Sequence, residues 1–385
     1  MPRSALIDVT KIVASQIIVA HHLVVYSPMS EWLTLAWPRL LTLIADHGLV
    51  AVQPFLVMGG FLAAQTMLAR GAGSIAHPLW QRYLRLLPQL ALALLLVMLS
   101  TAWVGRHLSH LDWLSPQPSI GVLLAHLLLL QDVLGVPSIS AGAWYVAIDL
   151  QLLAVALLLA RLASRAATAR RLPLLLALVS ASTALSLLLF SREPKLDVWA
   201  IYYFGAYGLG LLVGLAQRHP SARHWLVALL GLVVLDLAWE PRLRPMLAGA
   251  MALALLLLAA RPWPQHWPRL AGLLRYLSDI SYSVFVCHFA VIILFSGWWQ
   301  QVQASGLAAA AGWTLLAWLS ALAVGAAVQA LIDRRGELLG LFRLRPAAPA
   351  IKWRQAFGGA VHRGRHGSSG SPSVPAPPGR SALRR

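Results

Sequence analysis

Residues 119–134 read SIGVLLAHLLLLQDVL, and whether this stretch crosses a bilayer decides how the rest of the chain is laid out. It is strongly apolar, yet it holds His126 and closes on Gln131-Asp132. Ten other segments have the length and apolarity of a spanning helix, which needs roughly 20 residues. They lie near 11–28, 42–68, 83–104, 142–160, 172–190, 199–216, 225–239, 245–260, 277–297 and 307–332. The expected fold class is therefore an all-α integral membrane protein.

Basic residues decide the reading of 119–134, because Lys and Arg collect in the loops on the cytoplasmic side. If the stretch does not span, both termini face the same side, and 24 of the 31 Lys and Arg residues fall there. Arg161, Arg165, Arg170 and Arg171 are among them, and only Arg39, Arg106, Arg192, Lys195, Arg242 and Arg244 fall opposite. If it spans, the Arg161 group and every later loop change sides. The expected layout is thus about ten transmembrane helices, N-terminus and C-terminus inside. The stretch 119–134 is then re-entrant or interfacial, which is tolerated at membrane depth only against protein.

Composition agrees. Of 385 residues 59% are hydrophobic and 11% charged, too few charges to cover a soluble protein of this size. The formal net charge of +18 would by itself suggest nucleic acid. Its distribution along loops argues for no nucleic-acid partner and for membrane lipid instead. Cys287 is the single cysteine, so no disulfide framework and no thiolate metal site is expected. Residues 1–335 read as one polytopic domain. Residues 336–385 are rich in Pro, Gly, Ser and Arg without apolar periodicity, and read as a largely disordered cytoplasmic tail suited to anionic lipid.

Ionisable residues inside spans are costly and are functional candidates by default. Lys11 and His22 lie eleven residues apart in the first span, which puts them within about 20° of one helix face and about 16 Å apart along it. His21 is turned away. Arg82 and Arg85 open the third span as one basic patch, and guanidinium groups match phosphate oxygens. Trp144-Tyr145 begin the fourth span, with Asp149 and Gln151 deeper. In the ninth, Ser281 and His288 share a face seven residues apart, with Tyr282 beside Ser281.

Together these segments resemble the membrane acyltransferase-3 family, which O-acylates carbohydrates of the cell envelope. Lys11 and His22 match its Arg/Lys-x10-His signature. Ala51 to Phe61 resembles its second-helix run, Arg82 and Arg85 its R-x-x-R motif, Trp144 to Gln151 its W-S-L-S-V-E-E-Q segment, and Ile280 to His288 its I-S-Y-S-x-Y-L-x-H segment. Tyr203-Phe204 to Gly214 is similar to a further helix rich in Phe and Gly. The matches keep their order over about residues 8 to 335. Three positions depart: Gln53 stands for Asp, Gly59 for Ser, and Asp149 for Glu. Gly59 therefore offers no hydroxyl nucleophile.

The resemblance implies a bacterial cytoplasmic-membrane enzyme that carries an acyl group, usually acetyl, from acyl-CoA to a carbohydrate hydroxyl without a metal. On that reading Lys11, Arg82 and Arg85 bind acyl-CoA, and His22 is the general base. Asp149 is expected to orient His22, as in a hydroxyl–His–carboxylate relay. Trp144, Tyr145, Gln151, Ser281, Tyr282 and His288 are expected to line or support the cavity. Direct attack and an acyl-His22 intermediate both remain open. Buried His, Asp and Lys would also suit the proton relay of a secondary transporter, but the two halves show no repeat.

Overall fold

The computed structural model describes residues 4–70, 74–108, 117–259 and 268–339, and their side chains except at 68–70 and 335–339. The expected tail lies outside the described residues, apart from the helix end at 336–339. Among the described residues the secondary structure is entirely helical. The helices are α1 (Ala5–Tyr26), α2 (Met29–Ala36), α3 (Pro38–His47), α4 (Val52–Arg70), α5 (Ala76–His107), α6 (Ile120–Leu127), α7 (Ala143–Ser164), α8 (Thr168–Leu188), α9 (Ala200–Ala216), α10 (Pro220–Trp239), α11 (Leu243–Leu258), α12 (Pro268–Gln301) and α13 (Leu307–Leu339). Among the described residues eight stretches are long and apolar enough to cross a membrane, the second being α3 and α4 joined through a tight turn at Gly48–Ala51. Helices α9 and α11 are apolar but shorter, at 17 and 16 residues.

Every expected segment is helical, but several reach further than hydropathy alone suggests. Helix α1 starts at Ala5 rather than near 11, because its polar residues are used inside the bundle: buried Asp8 accepts a hydrogen bond from Ser278 of α12 at 2.7 Å. Residues 29–41, left between the first two expected spans, are largely helical in α2 and the start of α3. Helix α2 is too short to give an apolar window of its own, and α3 falls mostly within the expected span 42–68. They are held by Met29, buried against Trp299 and Ala310, and by the His21 ring, whose Nδ1 lies 2.9 Å from the Ile44 carbonyl.

The stretch 119–134 forms only the eight residues of α6 followed by turns, with Leu129 at φ 59°. That helix is about 12 Å long at 1.5 Å per residue, well short of a bilayer core. His126 explains the fold-back. Its Nδ1 lies 2.8 Å from the Val122 carbonyl, and its Nε2 accepts the Ile139 N–H at 2.9 Å, stapling the returning chain to α6.

Helix α9 is the axis of the bundle. From Tyr202 to Ala216 it is buried throughout, packed on α4, α7, α8, α10 and α11. Its crossing with α4 is backbone against backbone. A Cβ at Gly60 would stand 1.9 Å from the Tyr207 carbonyl oxygen, and one at Gly210 would stand 1.9 Å from that of Val57. Only glycine fits either place, as at other close crossings between membrane helices. Where α8, α10 and α11 meet, the buried Asp236 carboxylate accepts from Arg192 at 2.6 Å and from Arg242 at 2.5 Å. Arg242 also donates to the Leu187 carbonyl at 2.8 Å, and Arg192 pairs with Glu240. This clasp ties three helix ends together.

Candidate functional site

A cavity of about 880 Å³ opens among α1, α4, α5, α7, α12 and α13. Its basic wall is Lys11 from the first turns of α1, with Arg82 and Arg85 one turn apart on α5. Asp149 and Tyr145 of α7, Ser281, Tyr282 and Phe285 of α12, and Asp333 near the end of α13 also line it. Lys11 and Arg85 come from helices that start at the same end of the bundle, so the cations collect there by topology. The α12 residues repeat at helical spacing, which puts Ser278, Ser281, Tyr282 and Phe285 on one stripe facing the cavity. Two hydrogen bonds fix that stripe: Ser281 Oγ donates to the Ser278 carbonyl at 2.7 Å, and Tyr282 donates to the Leu86 carbonyl of α5 at 3.2 Å.

Asp149 sits elsewhere than expected. Its Oδ2 accepts Arg82 Nε at 2.8 Å, with the carboxylate buried and the guanidinium one-third exposed in the cavity. The expected orientation of His22 by Asp149 is therefore corrected: the carboxylate is engaged across to α5, where a buried charge finds an opposite one. The departure at Gly59 bears on the same spot. A Cβ there would stand 3.1 Å from the Tyr207 ring and in ordinary contact, 3.5 Å, with Asp149 Oδ1, so the missing side chain makes room for the ring beside this carboxylate.

His22 is paired with another histidine. Its Nδ1 lies 2.7 Å from Nε2 of His288, and the two rings stack at 4.9 Å with 7° between their planes. Both are buried, His288 fully. One nitrogen of this contact must carry the hydrogen and the other the lone pair. On α12 the pair lies one turn beyond Phe285, and on α1 eleven residues beyond Lys11. It is therefore displaced from the cations along both helices in the same sense. On its far side, His22 contacts the ring of Tyr26 at 5.5 Å, and Tyr26 is exposed at the end of α1.

Tyr145, Ser281 and Tyr282 thus line the cavity together with Lys11, Arg82, Arg85 and Asp149. Trp144 packs on Tyr203 at 5.8 Å between ring centroids. Gln151 serves the fold, since its amide donates to the Val198 carbonyl at 3.3 Å and accepts the Ala200 N–H at 2.9 Å, fastening α7 to the start of α9. Phe55, Phe285 and Asp333 are among the cavity residues that sequence reading missed, as are the polar Gln89, Ser278, Asp279 and Gln329. Phe285 stood inside the Ile280–His288 segment, four residues after Ser281, and helical spacing alone would have found it. Asp236 was missed as well, although an aspartate within an apolar helix is itself a signal.

A family model described as an acyltransferase domain, that of the acyltransferase-3 family, matches residues 5–332, nearly the whole described chain. No curated protein and no solved structure matched. The matched range takes in the cavity, the Arg82–Asp149 pair and both histidines, and it ends one residue short of Asp333. The chain belongs to the acyltransferase-3 family, and it is an acyltransferase by that membership.

Proposed function

We propose that the protein transfers an acyl group, acetyl in the simplest case, from acyl-CoA on the cytoplasmic side to a hydroxyl of an envelope or extracytoplasmic carbohydrate. The carrying observation is the shared order along α1 and α12: cations and cavity first, then the His22–His288 pair, then exposed Tyr26. The layout uses ten crossings, counting α9 and α11, with both termini inside and α6 folded back. On this reading the membrane is the bacterial cytoplasmic one, as the family resemblance implies, and the excess of arginine lies on the donor side.

Coenzyme A carries several phosphates and does not cross a bilayer. Lys11 and Arg85 meet those phosphates at the cavity mouth, because charge-assisted hydrogen bonds to phosphate are short and strong. Arg82, held through Nε by Asp149, adds positive charge from a fixed position. The pantetheine arm then runs along the cavity in the direction of the histidines and ends at Phe285, whose ring centroid lies 6.2 Å from that of His288.

His22 acts as general base. For its Nε2 to accept a proton, Nδ1 must carry hydrogen and donate to His288 Nε2. His288 thus holds the reactive tautomer in the role that sequence reading gave to Asp149. The acceptor oxygen attacks the thioester carbonyl carbon as its proton passes to His22 Nε2. The carbon–sulfur bond breaks, and the proton returns to sulfur to give free CoA. The acceptor approaches from the Tyr26 end, opposite the donor.

The test is the melting temperature of detergent-purified protein with CoA, acetyl-CoA or candidate sugars. Stabilisation by the CoA compounds supports the enzyme, since binding only to the folded state raises the melting point. A response to sugars alone supports a transporter instead.

A further inference from the structure

The cavity stops at a roof of three rings. Phe285 of α12, Phe55 of α4 and Tyr145 of α7 all line it, and each ring touches the other two: Phe285 and Tyr145 at 5.3 Å, Phe55 and Tyr145 at 6.0 Å, Phe55 and Phe285 at 6.4 Å between centroids. Phe285 has a second neighbour. Its ring centroid lies 6.2 Å from that of His288, which is buried behind it and hydrogen-bonded to His22. One side chain thus forms the end wall of the cavity and the near wall of the histidine pair.

Phe285 is also held in place. A Cβ at Gly142 would stand 3.0 Å from the Phe285 carbonyl oxygen and 3.5 Å from its ring, so the absent side chain lets the backbone before α7 close on this residue. Phe285 is only 4% exposed. A ring packed on several sides yields little to an added carbon, because overfilling a well-packed site forces neighbours off their preferred rotamers.

We infer that Phe285, with Phe55 and Tyr145, sets the length of the acyl group that the donor site accepts. The reading rests on the acyl-CoA proposal above. With the phosphates at Lys11 and Arg85, the thioester arrives at the roof and its acyl carbons lie against Phe285. A short group fits beneath the ring while the carbonyl faces the histidines. A longer one meets the ring. Phe285 is a specificity-determining residue here, and His22 and His288 keep their roles.

The test is a thermal-shift titration of the detergent-purified full chain with CoA, acetyl-CoA, butyryl-CoA and hexanoyl-CoA. It compares wild type with Phe285→Ala and, where alanine costs too much stability, Phe285→Leu. The readout is the affinity ratio of hexanoyl-CoA to acetyl-CoA within each protein, so general destabilisation cancels. Wild type is expected to disfavour hexanoyl-CoA by about tenfold or more, the scale on which an apolar pocket discriminates methylenes. Phe285→Ala is expected to remove most of that gap, and Phe285→Leu part of it. An equal gap in wild type and both variants overturns the inference and leaves the donor site standing, as does a wild type that binds all chain lengths alike. Failure of every CoA compound to stabilise wild type overturns the donor site, and this inference with it.

Discussion

Two buried aspartates in this bundle hold arginines, and they differ in what surrounds them. Asp236 is enclosed by Arg192 and Arg242 where three helix ends meet, away from the cavity, and both of its oxygens are taken. Asp149 holds one arginine, Arg82, and both partners face the cavity beside Tyr145 and Tyr282. The first arrangement is complete within the protein. The second is half built, with charge presented to a space large enough for a ligand. The same chemistry serves as a fastener in one place and as part of a binding wall in the other, and the open volume beside it marks the difference.

Removing each carboxylate sharpens that contrast. Asp236→Ala leaves two arginines without their shared partner, and breaking a buried pair this way costs about 3–5 kcal/mol. The variant is expected to accumulate poorly or to melt well below wild type, as fluorescence-detected melting in detergent would show. A melting point close to wild type would remove the fastener assignment. Asp149→Asn keeps the shape and removes the charge. It is expected to lower acyl transfer by a larger factor than its small loss of melting temperature explains. Equal losses of stability in the two variants would erase the distinction between the aspartates.

Smaller effects test the cavity wall. Arg85→Ala removes one charge-assisted contact, worth about 1.5–3 kcal/mol. The acyl-CoA concentration for half-maximal activity is expected to rise about tenfold to a hundredfold, since 1.4 kcal/mol is a factor of ten, with the acceptor dependence unchanged. An unaltered donor response would exclude Arg85 from the phosphate site. Smallest is Ser278→Ala, which removes the hydroxyl that Asp8 accepts across α1 and α12. A loss of about 1 kcal/mol in stability is expected from that hydrogen bond, read by the same melting assay.

Hydropathy made the helices legible, because a spanning helix must be apolar over roughly twenty residues whatever its neighbours. The stretch 119–134 was legible through charge counting, and the short α6 agrees with it. Helix α2 and the first turn of α3 were not, α2 being short and held mainly by contacts to distant residues such as Trp299. Within the site, helical spacing placed Lys11 and His22 on one face and Arg82 beside Arg85. The pairings were out of reach. Arg82 meets Asp149 across 67 residues and His22 meets His288 across 266, so both depend on how α5 packs near α7 and α1 on α12. Carboxylate and imidazole both suit a histidine partner, and sequence offered Asp149 while packing supplied His288.

The central claim is that His22, fixed by His288 and supplied through the basic cavity, moves an acyl group onto a carbohydrate hydroxyl. The most direct measurement is NMR of surface glycans and their lipid-linked precursors from a strain lacking the gene, complemented with wild type or with His22→Ala. The account predicts an O-acyl signal restored by wild type and absent with His22→Ala, although the variant protein is present in the membrane at a similar level. Restoration of the signal by His22→Ala would contradict it.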